Sequence, residues 1–311
     1  MLARNFYSHQ CYINKSKLLR VSRKNYDSQL SSDHILYDLS HPYDIDLHQD
    51  LVSQIRSAID LKQDTVICLF AWSGTPRTSA DPNISEAFRR DNYNIVNNFS
   101  YLINDLDISQ IIFLSSAGGI YSDDETSIHD ESSIPRPATP YGCQKLEAEA
   151  MLERISDKYK VPLCIYRVSC AYGFNEFCPD QGVLNKWIFD GLLRGEIDIY
   201  NSLESELNFI SYEQISVALE LGIDLCLSGI FNVCTSSSIS LMDIYNLVVH
   251  RIPNIRLNIL GTKKRALNVD CSRFSAASGR EFEPAIENDF PTLYATICSF
   301  INKSNVKNKS S

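Results

Sequence analysis

At 311 residues, 44% hydrophobic and 22% charged, the chain has an ordinary globular composition and enough length for a large core, as one elaborate domain or two smaller lobes. With 29 Lys and Arg against 38 Asp and Glu the net charge is -9, which disfavours nucleic acid or an anionic membrane as the main partner. The longest apolar run, TVICLFAW, is too short to span a bilayer and the start shows no apolar leader, so a cytoplasmic protein is expected.

Ten cysteines are scattered without a C-x-x-C pair, which suggests neither a zinc site nor a disulfide framework and reads as small buried hydrophobes. In chain order, KLLRVS (17–22), HILYDL (34–39), DTVICLFA (64–71), QIIFLSSA (110–117) and VPLCIYRVS (161–169) read as strands. Between them, segments 50–61, 86–105 and 145–159 place apolar residues at helical spacing. This alternation predicts an α/β protein, a Rossmann-like doubly wound parallel sheet over residues 1–175. Beyond it, 182–196 and 238–252 read as helices, 208–225 as a strand turning into a helix, and 229–234 as a strand. Residues 176–300 then form a smaller C-terminal substrate lobe, and the polar stretch 301–311 a disordered tail.

The stretch TPYGCQKLEAEAMLE sets Tyr141 and Lys145 four apart at the start of a helix, hence on one face. A tyrosine is a poor acid or base near neutrality, and an adjacent ammonium favours its phenolate and moves the pKa toward the working range. A solvated helix surface is the alternative for so short a pattern. About twenty-five residues earlier, IIFLSSAGGIYS is a buried strand ending in two serines and a small-residue turn, and strand ends at the carboxyl edge are where open α/β sheets bind ligands.

Taken together, the strand ending in Ser-Ser, PYGCQKLEAE and YRVSCAYG resemble the extended short-chain dehydrogenase/reductase family, the nucleotide-sugar epimerases and dehydratases, over about residues 1 to 290. The resemblance implies a bound NAD or NADP, a nucleotide-sugar substrate, and a catalytic set of Ser116, Tyr141 and Lys145, with a sugar 4-epimerase as the first expectation. By this resemblance Tyr141 would exchange the proton of a sugar hydroxyl, Lys145 would orient the cofactor ribose, and the serine would hold the developing carbonyl oxygen. Ser116 is preferred to Ser115, although the strict family position counted back from Tyr121 is Ala117. By the same resemblance Asp38 and Leu39 meet the adenine, Ala71 lines the cofactor, Asn92 lies under the active site, and Ser169 belongs to the cofactor set. Structural roles for Asp38 and Asn92, and plain packing for Ala71, are the alternatives. Arg23 closes the first strand, where it pairs with the extra phosphate of NADP or is a solvated loop residue. The resemblance also implies a homodimer through the helices containing 141–159 and 86–105.

Several positions depart from that family. No G-x-x-G-x-x-G turn precedes the strand at Lys17, so Met1 is expected to be an internal or misassigned start. The family's diphosphate-clamping arginine is Leu207, followed by Asn208 for an aspartate, and its usual asparagine is Cys170. These departures support an alternative: a catalytically impaired or non-catalytic relative that serves as a binding or scaffolding subunit.

Overall fold

The computed structural model describes residues 20–22, 34–59, 65–76, 78–121, 128–174 and 180–309. Arg23 and the expected start of the fold before residue 20 lie outside the described residues. Two short parallel strands, β1 (Arg20–Ser22) and β2 (His34–Leu36), pair with each other. Helix α1 (Ile45–Ala58) begins where the Asp44 carboxylate accepts from the Asp46 and Leu47 amides.

The central sheet is parallel, in the order β11-β6-β4-β3, from β3 (Val66–Leu69), β4 (Gln110–Ser116), β6 (Leu163–Val168) and β11 (Gly229–Val233). Between β3 and β4 runs α2 (Pro82–Asp105), with Asp81 as cap and Pro82 in its first turn. After β4 comes a single turn, α3 (Ala117–Ile120), then the two-residue β5 (Ile128–His129) and α4 (Pro140–Tyr159). Each helix begins a few residues before the periodic segment, because the capping residue and not the first apolar residue sets the start.

The apolar runs of β4 and β6 are buried on both faces, as expected of strands covered by helices on each side. Strand periodicity sorts their side chains. Ile111, Phe113, Leu163 and Ile165 pack with Leu51, Phe99 and Leu152 from α1, α2 and α4. Ile112, Leu114, Cys164 and Tyr166 face the opposite way and pack with Ile215, Leu219 and Phe274. The sheet is therefore doubly wound.

The second half supplies β7 (Cys170–Tyr172), α5 (Val183–Arg194), β8 (Glu196–Ile199), β9 (Glu206–Leu207), β10 (Phe209–Ser211) and α6 (Tyr212–Asp224) before β11 returns the chain to the central sheet. Thereafter come β12 (Ile239–Ser240), α7 (Leu241–Arg251), β13 (Arg256–Ile259), β14 (Ala266–Val269), α8 (Ser272–Ser278) and α9 (Ile286–Lys309). A small mixed sheet, β12-β9-β14-β5, and the pairs β7 with β10 and β8 with β13 build this part. Because β11 belongs to the main sheet, the two halves interleave along the chain. The last helix carries Phe290, Leu293 and Ile297 into the core and continues through residue 309, into the stretch expected to be a tail.

Of the cysteines, Cys164, Cys234 and Cys271 are buried, as small hydrophobes should be, whereas Cys143 and Cys226 are exposed. No helix among the described residues is long and apolar enough to cross a membrane.

Candidate active site

The site is assembled where α3 and the start of α4 meet the carboxyl end of β4. Thr139 caps α4 by accepting from the Gly142 amide at 3.2 Å, and Pro140 occupies the first turn. A Cβ on Gly142 would lie 1.8 Å from the carbonyl oxygen of Gly119, so only glycine lets the two turns touch. That approach brings Ser116 to Tyr141. The Ser116 hydroxyl accepts from the Gly119 amide at 3.2 Å and sits beside the Tyr141 ring, close enough to lower the pKa of its phenol.

Ser115 lies on the sheet face that carries Phe113, and its hydroxyl donates to the Glu149 carboxylate, buried two turns beyond Tyr141 in α4. Arg167 lies on the same face of β6 and grips Glu149 with Nη2 at 2.7 Å and Nε at 3.2 Å. Its Nη1 donates to the Tyr121 hydroxyl at 2.9 Å, which donates to Asn232 Oδ1 at 2.9 Å. Ser115 is thus committed to a buried ionic network, leaving Ser116 as the serine beside the phenol.

Lys145 is nearly inaccessible, at 5% exposure. Its ammonium donates to the Leu114 carbonyl at 2.7 Å and lies 4.0 Å from the centroid of the Trp72 ring, 4.7 Å from that of Phe113 and 6.0 Å from that of Tyr141. Burial lowers its pKa from 10.5 to about 7, with Glu149 opposing the shift. Tyr141 moves the other way: burial pushes the phenol up to about 12, and the neighbouring Ser116 hydroxyl pulls it back only in part. The expected lowering by Lys145 is therefore not found in this structure, because desolvation of the phenolate outweighs a cation held toward Leu114, Trp72 and Phe113.

The other expected positions are distributed around this centre. Ala71 is exposed immediately beyond β3, next to Trp72. Asn92 is buried in α2, where its Oδ1 accepts from the Ser73 amide at 2.7 Å and its Nδ2 donates to the Ser73 carbonyl and to Gln144 Oε1. It fixes the loop after β3 to the helix bearing Tyr141 and Lys145. Ser169 follows β6, beside the Ser116 end of β4, and its buried hydroxyl has no hydrogen-bond partner among the described residues. Asp38 accepts from the Ser40 amide and hydroxyl at 2.9 and 2.6 Å and lies 3.6 Å from His41, while the Leu39 carbonyl accepts from Asn98. These contacts shape the loop beyond β2. Leu207 is buried in the core, and Asn208 behind it donates to the Thr235 carbonyl, so neither supplies a cation.

Trp72, Glu149 and Arg167 were not singled out from the sequence. Trp72 directly follows the strand LFA at the sheet's carboxyl edge, and Glu149 and Arg167 are charged residues in otherwise apolar patterns. Those were the available signals.

A sequence model of the NAD dependent epimerase/dehydratase family matches residues 7–220. The chain belongs to that family. A Methanocaldococcus jannaschii protein provisionally described as a UDP-glucose 4-epimerase is 22% identical over 156 residues, 50% of this chain and 51% of the relative, so the match spans about half of each. Among solved structures, a UDP-N-acetylglucosamine 4-epimerase from Methanobrevibacter ruminantium, in complex with UDP-N-acetylmuramic acid, superposes with a TM-score of 0.77 at 19% identity, covering 97% of this chain and 96% of the other. A Thermus thermophilus UDP-glucose 4-epimerase in complex with NAD gives 0.71 at 15% identity, covering 90% of each. At these identities the superpositions establish the Rossmann-like fold.

Proposed function

We propose that the protein is a cytoplasmic, homodimeric NAD-dependent epimerase acting on a nucleotide sugar, with Tyr141, Ser116 and Lys145 as its catalytic residues. The observation that carries this reading is the placement of the Ser116 hydroxyl beside the Tyr141 ring, both against Gly119 at the carboxyl end of a parallel sheet, with Lys145 one helical turn away. Family membership, and the UDP-sugars and NAD named for structures of the same fold, agree with it.

The donor set suits a nicotinamide nucleotide. Among the described residues the Lys145 ammonium has one hydrogen bond for its three N–H groups, and the buried Ser169 hydroxyl and Trp72 indole N–H lack partners. Lys145 and Ser169 would hold the nicotinamide-side ribose and amide. When bound, the nicotinamide supplies the hydride acceptor and donor. Tyr141, as phenolate, accepts the proton of the sugar hydroxyl and later returns it, while Ser116 donates a hydrogen bond to the sugar oxygen as it gains carbonyl character. A phenol held near 12 transfers that proton readily only when cation and ligand dipoles close around it, and Lys145 is the nearest cation of the cluster.

The test is interconversion of UDP-glucose and UDP-galactose, and of their N-acetylated counterparts, by the purified protein with NAD. Tyr141→Phe should abolish turnover with the circular dichroism spectrum unchanged; a fully active Tyr141→Phe protein would refute the assignment. The buried Leu207 favours a second reading, a relative that binds a nucleotide without turning it over, and fluorescence titration with NADH and NADPH combined with the turnover assay separates the two. The dimer is expected to form through the outward faces of α2 and α4, where Tyr93 is 57% exposed, and light scattering at micromolar concentration checks it.

A further inference from the structure

The Lys145 ammonium is enclosed chiefly by two rings. Phe113 lies below it on β4, and Trp72, on the loop after β3, lies above it with the ring centroid 4.0 Å away. A cation over an aromatic face is attracted by the ring quadrupole, most strongly where water is excluded. The backbone that carries the indole is itself fixed. Ser73, the next residue, has both its N–H and its C=O bonded to the buried Asn92 side chain, and Asn92 is held in turn by Gln144, the neighbour of Lys145. The indole N–H is buried without a hydrogen-bond partner among the described residues. A ring retained at the cost of a buried donor without a partner among the described residues is held there by its other contacts, which include the Lys145 ammonium, Phe113 and the core cluster of α2 and α4.

We infer that Trp72 is a positioning residue for Lys145, its indole face closing over the ammonium so that the lysine is aimed at the Leu114 carbonyl and the cleft and is kept from water. The importance of Lys145 rests on the proposed epimerase reading, but the geometry of Trp72 does not. The groups that face the ammonium are Glu149 and Tyr141 on its own helix and, beyond Glu149, Arg167 on β6; the Trp72 loop and α2 present Ser73 and Asn92, which carry no charge. Two opposing contributions follow from the cover. Water exclusion depresses the lysine pKa, and the ring face favours the charged form and raises it.

The experiment is an NMR titration of protein labelled with 13C at lysine Cε, the Lys145 signal being assigned by its loss in Lys145→Arg. The wild-type midpoint is expected at about 7. Trp72→Ala admits water and should raise the midpoint by about one unit or more, and Trp72→Phe, which keeps a ring face, should restore the wild-type value. Because the two contributions oppose each other, an unchanged midpoint in both Trp72→Ala and Trp72→Leu overturns the inference. Should Trp72→Ala fail to fold, Trp72→Leu decides: it excludes water without offering a ring face, so a lowered midpoint supports the inference and an unchanged one overturns it. The titration requires neither substrate nor cofactor, so its outcome stays separate from that of the Tyr141→Phe turnover assay.

Discussion

Replacing Glu149 by leucine should be among the most damaging single substitutions in the protein. Both members of the Arg167–Glu149 pair are almost completely buried, with side-chain exposures of 4% and 3%, and the carboxylate also accepts from Ser115. In Glu149→Leu the guanidinium keeps, among the described residues, only its bond to Tyr121 at 2.9 Å and remains charged in a low-dielectric interior. Stripping one partner from a buried ion pair costs about 3–5 kcal/mol, a large part of the roughly 5–15 kcal/mol by which such a domain is stable. In the double variant Glu149→Leu with Arg167→Met the stranded charge is gone. What is left is the orphaned Ser115 hydroxyl, a cost of about 1–3 kcal/mol, while Tyr121 still donates to Asn232. Urea unfolding followed by circular dichroism on the wild type, both single variants and the double variant gives the coupling energy directly. The double variant should be more stable than Glu149→Leu. If Glu149→Leu lost less than about 1 kcal/mol, or if the double variant were the least stable of the set, the account of a charge-paired network would be wrong.

Gly142→Ala places a methyl 1.8 Å from the Gly119 carbonyl oxygen, so the turn bearing Ser116 must move; a lower melting temperature and a fall in turnover that exceeds any fall in cofactor affinity are expected. Asn92→Ala releases the buried backbone groups of Ser73 and should cost about 1–3 kcal/mol in the same urea assay. Lys145 holds fewer protons in the folded than in the unfolded chain between its folded value of about 7 and its ordinary 10.5, so its penalty is fully present below about 7 and fades toward 10.5. Lys145→Met should therefore stabilise the protein by about 2 kcal/mol or more at low pH, with the gain shrinking steadily as pH rises; a gain independent of pH would contradict the burial of a titrating ammonium.

Much of the fold could be read from local pattern because local forces set it. Parallel strands covered on both faces leave unbroken apolar runs, and helices announce themselves through Asp44, Asp81 and Thr139 as caps and through Pro82 and Pro140 in first turns. The pairing of Tyr141 with Lys145 is likewise a consequence of helical periodicity alone. That Ser115 is bound into the buried ionic network while Ser116 lies beside the phenol needed the tertiary structure, since Glu149 is 34 residues from Ser115 in sequence.

Sequence by itself determined the doubly wound sheet and the placement of Tyr141 and Lys145 on one helix face, because each follows from the spacing of nearby residues. Only the tertiary structure decided the electrostatics. The sequence-based expectation placed an ammonium beside Tyr141 to lower its pKa, yet the fold turns that ammonium toward Leu114 and under Trp72, so burial controls both groups and moves the phenol up and the lysine down. Asn92 shows the same division: its place in the long helix was legible, whereas its grip on Ser73, which fixes the loop bearing Trp72, exists only once β3 and α2 are packed. Desolvation and the direction of a side chain depend on every element that closes around it, and elements distant in the chain meet only on folding.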